Sequence, residues 1–105
     1  MPDRDEEAIK QAQATLKRLR RAYWDAKEAE PPVKFDDLYD LRCAYEEAVV
    51  EYAGLEGRLL HDDILTSVGD LAKLQKIRER MDAAVDLKET ILAARDFIKL
   101  IVAIV

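Results

Sequence analysis

The stretch LYDLRCAYEEAVVEYAGLEGRL, residues 38–59, returns an apolar side chain every three and then four positions: Leu38, Leu41, Tyr45, Ala48, Tyr52, Leu55 and Leu59. Strict 3-4 alternation lays one narrow stripe along a helix, and only another such stripe hides it from water. Ile9, Ala12, Leu16, Leu19, Tyr23 and Ala26 form a second stripe upstream. Ala84, Leu87, Ile91, Ala94, Ile98, Ile101 and Val105 form a third downstream. The fold class that follows is all-α.

The residues between the stripes place the ends of the helices. Asp3, Asp5, Glu6 and Glu7 put negative charge where free backbone N–H groups and the helix dipole favour it, so a first helix is expected over about 4–29. Pro31 and Pro32 end it, because neither offers an N–H and each disfavours helix in the residue before it. A second helix, about 36–61, enters at Asp36 and Asp37 and continues past Gly54 and Gly57, each of which weakens it by about 1 kcal/mol relative to alanine. Ser67 with Asp70 has the spacing of a capping box and opens a third helix, about 68–105, with no proline inside it. Within that helix Leu74, Ile77, Met81 and Ala84 keep one heptad register, whereas Ala84, Leu87 and Ile91 begin another. The shift equals a three-residue insertion, which predicts a local overwinding or a straighter helix crossing at a larger angle.

The expected architecture is an elongated helical hairpin plus a longer third helix, a coiled-coil-like three-helix bundle forming a single domain over 1–105. At 1.5 Å per residue the third helix would reach roughly 55 Å against roughly 40 Å for the others, so its last turns would project. Those turns are apolar nearly all round, with Leu92, Phe97, Leu100, Val102, Ala103 and Ile104 lying off the seam. Burying such side chains stabilises by about 1.5–3 kcal/mol each, enough to drive association. A homo-oligomer, a dimer for preference, is therefore expected through Ile91, Leu92, Phe97, Ile98, Ile101, Val102 and Val105.

Composition sets bounds on function. A length of 105 residues holds one domain, and 37% charged residues with three glycines and three prolines suits long solvated helices. The net charge of −5 disfavours bulk attraction to nucleic acid or to an anionic membrane. Cys43 is the single cysteine, so no internal disulfide forms and no oxidising compartment is needed. Met1 to Glu7 are charged and no apolar segment of signal-peptide type follows. Arg95, Asp96 and Lys99 interrupt the longest apolar run, so the expected setting is cytoplasmic.

Candidate chemistry is sparse. His61 stands beside Asp62 and Asp63 in a polar connection and reads as solvated; a zinc site needs more His or Cys than one of each. No cofactor or metal is expected. Glu46, Glu47 and Glu51, with Asp62, Asp63 and Asp70 downstream, are similar to the paired acidic clusters with which all-α nucleotide pyrophosphohydrolases of the MazG type hold Mg²⁺. That resemblance supplies an alternative function, an Mg²⁺-dependent nucleotide hydrolase. The pattern departs from the family's: Val50 occupies its third acidic place, and Glu51 comes one position late, about 100° round the helix. Lys17, Arg18, Arg20 and Arg21 form a basic cluster followed by Tyr23 and Trp24. It reads as a solvated face engaging acids of the second helix, as a surface for an acidic partner, or, as a further alternative, as a nucleic-acid site with cations on phosphate and aromatics for stacking. Trp24, one place past the seam, is a candidate anchor at an interface. The function expected is a non-catalytic protein–protein interaction module, a small homo-oligomeric helical adaptor, assembly factor or regulator. Lys17, Arg18, Arg20, Arg21 and Trp24 are its possible partner surface.

Overall fold

Five of the six expected helix boundaries hold to within two residues. Helix α1 spans Arg4–Lys27, with Asp5, Glu6 and Glu7 in its first turn, and α2 spans Phe35–His61, with Asp36 and Asp37 in its first. Ser67 caps the next helix as its spacing predicts, its hydroxyl accepting from the Asp70 N–H at 3.0 Å. The structure, a computed structural model, describes residues 4–61 and 66–105.

The third helix does not run to the end of the chain. It stops as α3, Val68–Ala83, and a separate helix α4 occupies Leu87–Ile104. Ala84 and Asp86 are extended, with ψ of 127° and 168°. Asp86 caps α4: its Oδ1 accepts from the Glu89 N–H at 2.8 Å, while Glu89 Oε2 reaches back to the Val85 N–H at 3.3 Å. Asp86 and Glu89 therefore form a reciprocal cap. The register shift at Ala84 is neither an overwound coiled coil nor a wider crossing. It is the place where the chain turns back.

This turn makes the molecule a four-helix bundle, and the three-helix expectation is corrected. α1 packs against α2 and α3, and α4 packs against α2 and α3, with a smaller contact between α1 and α4 across the diagonal. Asp5 accepts a hydrogen bond from the Thr66 N–H, which sets the start of α3 beside the start of α1. Arg80 on α3 pairs with Asp96 on α4 at 2.7 Å. The bundle measures 46 × 22 × 19 Å. At 16 and 18 residues, α3 and α4 are shorter than the 24- and 27-residue hairpin they cover. The α3–α4 turn lies beside the end of α1 and the connection to α2, where Ala84, Val85 and Leu87 share one surface with Ala22, Ala26, Ala29 and Val33.

Having two neighbours each, the helices need apolar faces wider than one stripe. On α1, the small residues Ala8, Ala12 and Thr15 and the larger Leu19 are fully buried toward the bundle centre. Ile9, Leu16 and Tyr23 are only partly covered, and Tyr23 meets Tyr45 of α2 with ring centroids 5.6 Å apart. Thr15, which no apolar pattern marks, satisfies its buried hydroxyl by donating to the Gln11 carbonyl at 2.9 Å. Phe97, Leu41, Leu55, Leu74, Met81 and Ile101 are the other large apolar side chains that are fully buried.

The same turn removes the premise of the C-terminal interface. Ile91, Phe97, Ile98 and Ile101 are buried inside their own protomer and present nothing to a second copy. Leu100 is buried as well. Of the seven residues expected to self-associate, only Leu92, Val102 and Val105 remain exposed, on the outer side of α4. Among the described residues, no helix is long and apolar enough to cross a membrane.

Candidate functional site

An α-helix turns 100° per residue, so positions nine apart lie on opposite sides. On α1 the buried Ala8, Ala12 and Thr15 thus have Lys17, Arg21 and Trp24 directly behind them. The back of α1 is cationic with one large aromatic, because the core consumes the small residues of the other side. A surface groove of about 530 Å³ runs along it and is lined by Ala14, Lys17, Arg18, Arg20, Arg21 and Trp24, with Asp82 from the end of α3. All five residues marked in the sequence as a possible partner surface line this one groove.

The expected engagement of that cluster with acids of α2 does not occur. Among the described residues, none of Lys17, Arg18, Arg20 and Arg21 has a carboxylate within 4.0 Å; the ion pairs found are Arg42–Glu46 and Arg80–Asp96. The reason is rotational: Lys17, Arg18 and Arg21 sit on the solvent and α3 sides of α1, and only Arg20 opens toward Tyr45 and Glu46 of α2, without an ion pair. Lys27, one turn past Trp24, covers that ring at 4.6 Å and the Tyr23 ring at 5.5 Å. Trp24 also meets Tyr23 edge-on at 6.0 Å and stays 48% exposed. Between the groove lined by the cations and a second dent lined by Arg20, Tyr23, Trp24, Lys27, Tyr45 and Glu46, Trp24 forms a ridge.

Charge is divided between the two long helices. α1 holds seven Lys or Arg against four Asp or Glu, and α2 holds two against seven. The net charge of −5 hides this division.

No protein family model, curated protein or solved structure matches this chain.

The remaining candidates are dispersed. Glu46 is paired with Arg42 at 3.0 Å, and Glu46 and Glu47 are exposed. Asp62 and Asp63 lie outside the described residues, and with them the His61-Asp62-Asp63 motif; of the downstream acids of the MazG-like pattern only Asp70 is described, in the first turn of α3. Among the described residues, no three His, Cys, Asp or Glu side chains come together as a metal site. Cys43 is exposed beside Tyr39 on α2 and raises the pKa of the Tyr39 hydroxyl, the hydrogen bond between them contributing most. The strongest perturbation is at Tyr52, half-buried on α2. Burial pushes its hydroxyl up to about 12, the Glu56 carboxylate adds to the shift, and Gln13 opposes it. Its oxygen is enclosed without a hydrogen-bond partner of good geometry.

The sequence reading missed one part of this surface. Phe35 and Tyr39 stack at 6.2 Å near the exposed tip of the hairpin, and Val49 and Val50 are exposed further along α2. The signal was available: Tyr39, Cys43, Glu46, Val50, Ala53 and Gly57 follow the same 3-4 spacing as the buried stripe of α2, half a turn away from it.

Proposed function

We propose that this protein is a non-catalytic protein–protein interaction module that works in the cytoplasm and engages an acidic polypeptide through the back of α1. The observation that supports the reading is the convergence of Lys17, Arg18, Arg20, Arg21 and Trp24 on one groove, where among the described residues no carboxylate lies within 4.0 Å of the four cations. A cation held within a fold gains little from staying unpaired, whereas across an interface it steers and orients an acidic partner. Trp and Arg are the side chains that most often dominate binding energy. A photo-crosslinking residue at Arg21, compared with one at the exposed Lys73 of α3, tests the reading in the cells that express the protein. A discrete adduct from position 21, lost on Trp24→Ser, is expected. Equal labelling from both positions would overturn it.

Self-association is a second reading, and one observation favours it: Leu92 and Val102 are 46% and 54% exposed on α4, with Val105 beside them at 41%. A dimer formed there would use these three residues and not the buried four. Light scattering at micromolar concentration tests it, with a monomer as the contrary result. The nucleotide-hydrolase alternative requires thermal stabilisation by Mg²⁺ with a nucleotide, lost on Glu47→Ala. The nucleic-acid alternative requires affinity that falls steeply with salt.

A further inference from the structure

We propose that the α2–α4 face of the bundle binds a second copy of this chain across a twofold axis, each copy laying its acidic α2 edge on the basic α4 edge of the other. The inference rests on the self-association reading above and deepens it by naming the second surface and the way the copies meet.

α2 and α4 run side by side in the same direction. The hydrogen bond from the Thr66 N–H to Asp5 sets the start of α3 beside the start of α1. At the far end Ala84 and Leu87 share a surface with Ala26 and Val33, so α4 begins where α2 begins. A cleft there is lined by Asp37 and Asp40 from α2 and by Lys88, Leu92 and Arg95 from α4. Seven residues make nearly two turns, so a position seven further on lies on the same side of its helix. Glu47 therefore continues the side of Asp40, while Lys99 and Val102 continue the sides of Leu92 and Arg95. The face has an acidic edge of Asp37, Asp40 and Glu47 and a parallel basic edge of Lys88, Arg95 and Lys99, with Leu92 and Val102 exposed among the cations. All six charged residues are exposed, and among the described residues none lies within 4.0 Å of an opposite charge.

A surface that is acidic along one edge and basic along the other is its own complement. A twofold axis normal to the face turns one copy end over end. Its acids then lie over the partner's cations and its cations over the partner's acids, the isologous relation in which residue i meets j and j meets i. Three charges of each sign leave the face neutral although the chain carries −5, so copies can approach here without like charges opposed. Leu92 and Val102 gain cover in the same contact. The back of α1 lacks this balance, because its cations have no acidic edge beside them to offer in return. α1 touches α2 and α3, and α4 touches the same two helices. The α2–α4 face is thus opposite the α1–α3 side, where Asp82 closes the basic groove. A dimer joined through α2 and α4 leaves both grooves open, one on each outer side.

The test is sedimentation of the full chain. Wild type is expected to dimerise, and the dimer to weaken as salt rises. Emission from Trp24, the sole tryptophan, should stay unchanged on dissociation, since it lies on the far side. Lys88→Glu with Arg95→Glu opposes acid to acid, and Asp40→Lys with Glu47→Lys opposes base to base. Each double variant, with an intact bundle by circular dichroism, should lose at least about tenfold in dimer affinity. Mixed in equal amounts, the two should pair with each other: the acidic α4 of one meets the basic α2 of the other, and the unaltered edges meet as before. Pairing rescued by mixing has no explanation inside one protomer. A mixture that stays monomeric, a dimer indifferent to salt, or Trp24 emission that shifts on dissociation would overturn the arrangement and leave self-association standing. A wild-type monomer would overturn both. The salt series and the Trp24 emission need no variant, so they decide the matter even if a substituted chain fails to fold.

Discussion

Replacing Asp86 by alanine separates two forces that hold the chain bent between α3 and α4. The local force is the cap. Asp86 Oδ1 accepts from the Glu89 N–H at 2.8 Å, and its loss costs about 1 kcal/mol, within a range of about 0.5–2. The tertiary force is burial. Straightening the chain into one helix would expose Ile91, Phe97, Ile98 and Ile101, worth about 1.5–3 kcal/mol each. Their sum, roughly 6–12 kcal/mol, outweighs the cap several-fold. Asp86→Ala is therefore expected to lower Tm by about 4–8 °C without changing helicity or dimensions, while Asp86→Asn, which keeps a capping oxygen, stays within a few tenths of a kcal/mol. Thermal and urea unfolding followed by circular dichroism measure the stability, and small-angle scattering measures the length. An unchanged Tm would refute the cap. A gain in helicity with an elongated particle would refute the claim that packing of α4 holds the bend.

Phe97 has no exposure to solvent, and Phe97→Ala should destabilise by about 3–5 kcal/mol in urea; a loss below about 1 kcal/mol would place the ring outside the core. Gly54→Ala with Gly57→Ala should raise stability by up to about 1 kcal/mol per site, because both are exposed or half-exposed helical positions with free space around them; a fall would show an internal need for glycine. Tyr52 holds its proton more tightly folded than unfolded, so its share of stability is present below about pH 10 and is lost as pH climbs toward about 12. Tyr52→Phe should flatten that decline and, by removing an enclosed hydroxyl without a partner, leave stability at pH 7 equal or higher. Asp96→Ala breaks the half-exposed pair with Arg80 and should cost less than about 1 kcal/mol in the same unfolding assay.

Local chemistry was legible where it acted within a turn or two of itself. The acidic entries of α1 and α2, the Pro31-Pro32 stop and the Ser67 cap were all readable as short-range rules. The break at Ala84 was visible only as a register shift. Asp86 and Glu89 carry a capping signature, but without glycine or proline the local sequence tolerates a continuous helix, and burial of Phe97 and Ile101 in their own protomer decides against it. That burial is a tertiary fact, and it moved the uncovered surface from the carboxyl end to the α1–α2 hairpin. The basic cluster comes together as a set because Lys17, Arg20, Arg21 and Trp24 all lie on the outward side of α1, away from the buried Leu19. Its pairing with α2 was misjudged, since which neighbour a helix face meets depends on how many neighbours there are.

The distance between Val68 and Val102 tests the fold-back most directly. Both are exposed, at 66% and 54%, and accept spin labels as Val68→Cys and Val102→Cys in a Cys43→Ser background diluted with unlabelled chain. With α4 folded back on α3, both labels sit at one end of a bundle 22 × 19 Å in cross-section, and the distribution should centre below about 30 Å. A distribution centred near 50 Å, the span of an unbroken helix between those positions, would contradict the four-helix account and return the carboxyl end to solvent or to a second copy.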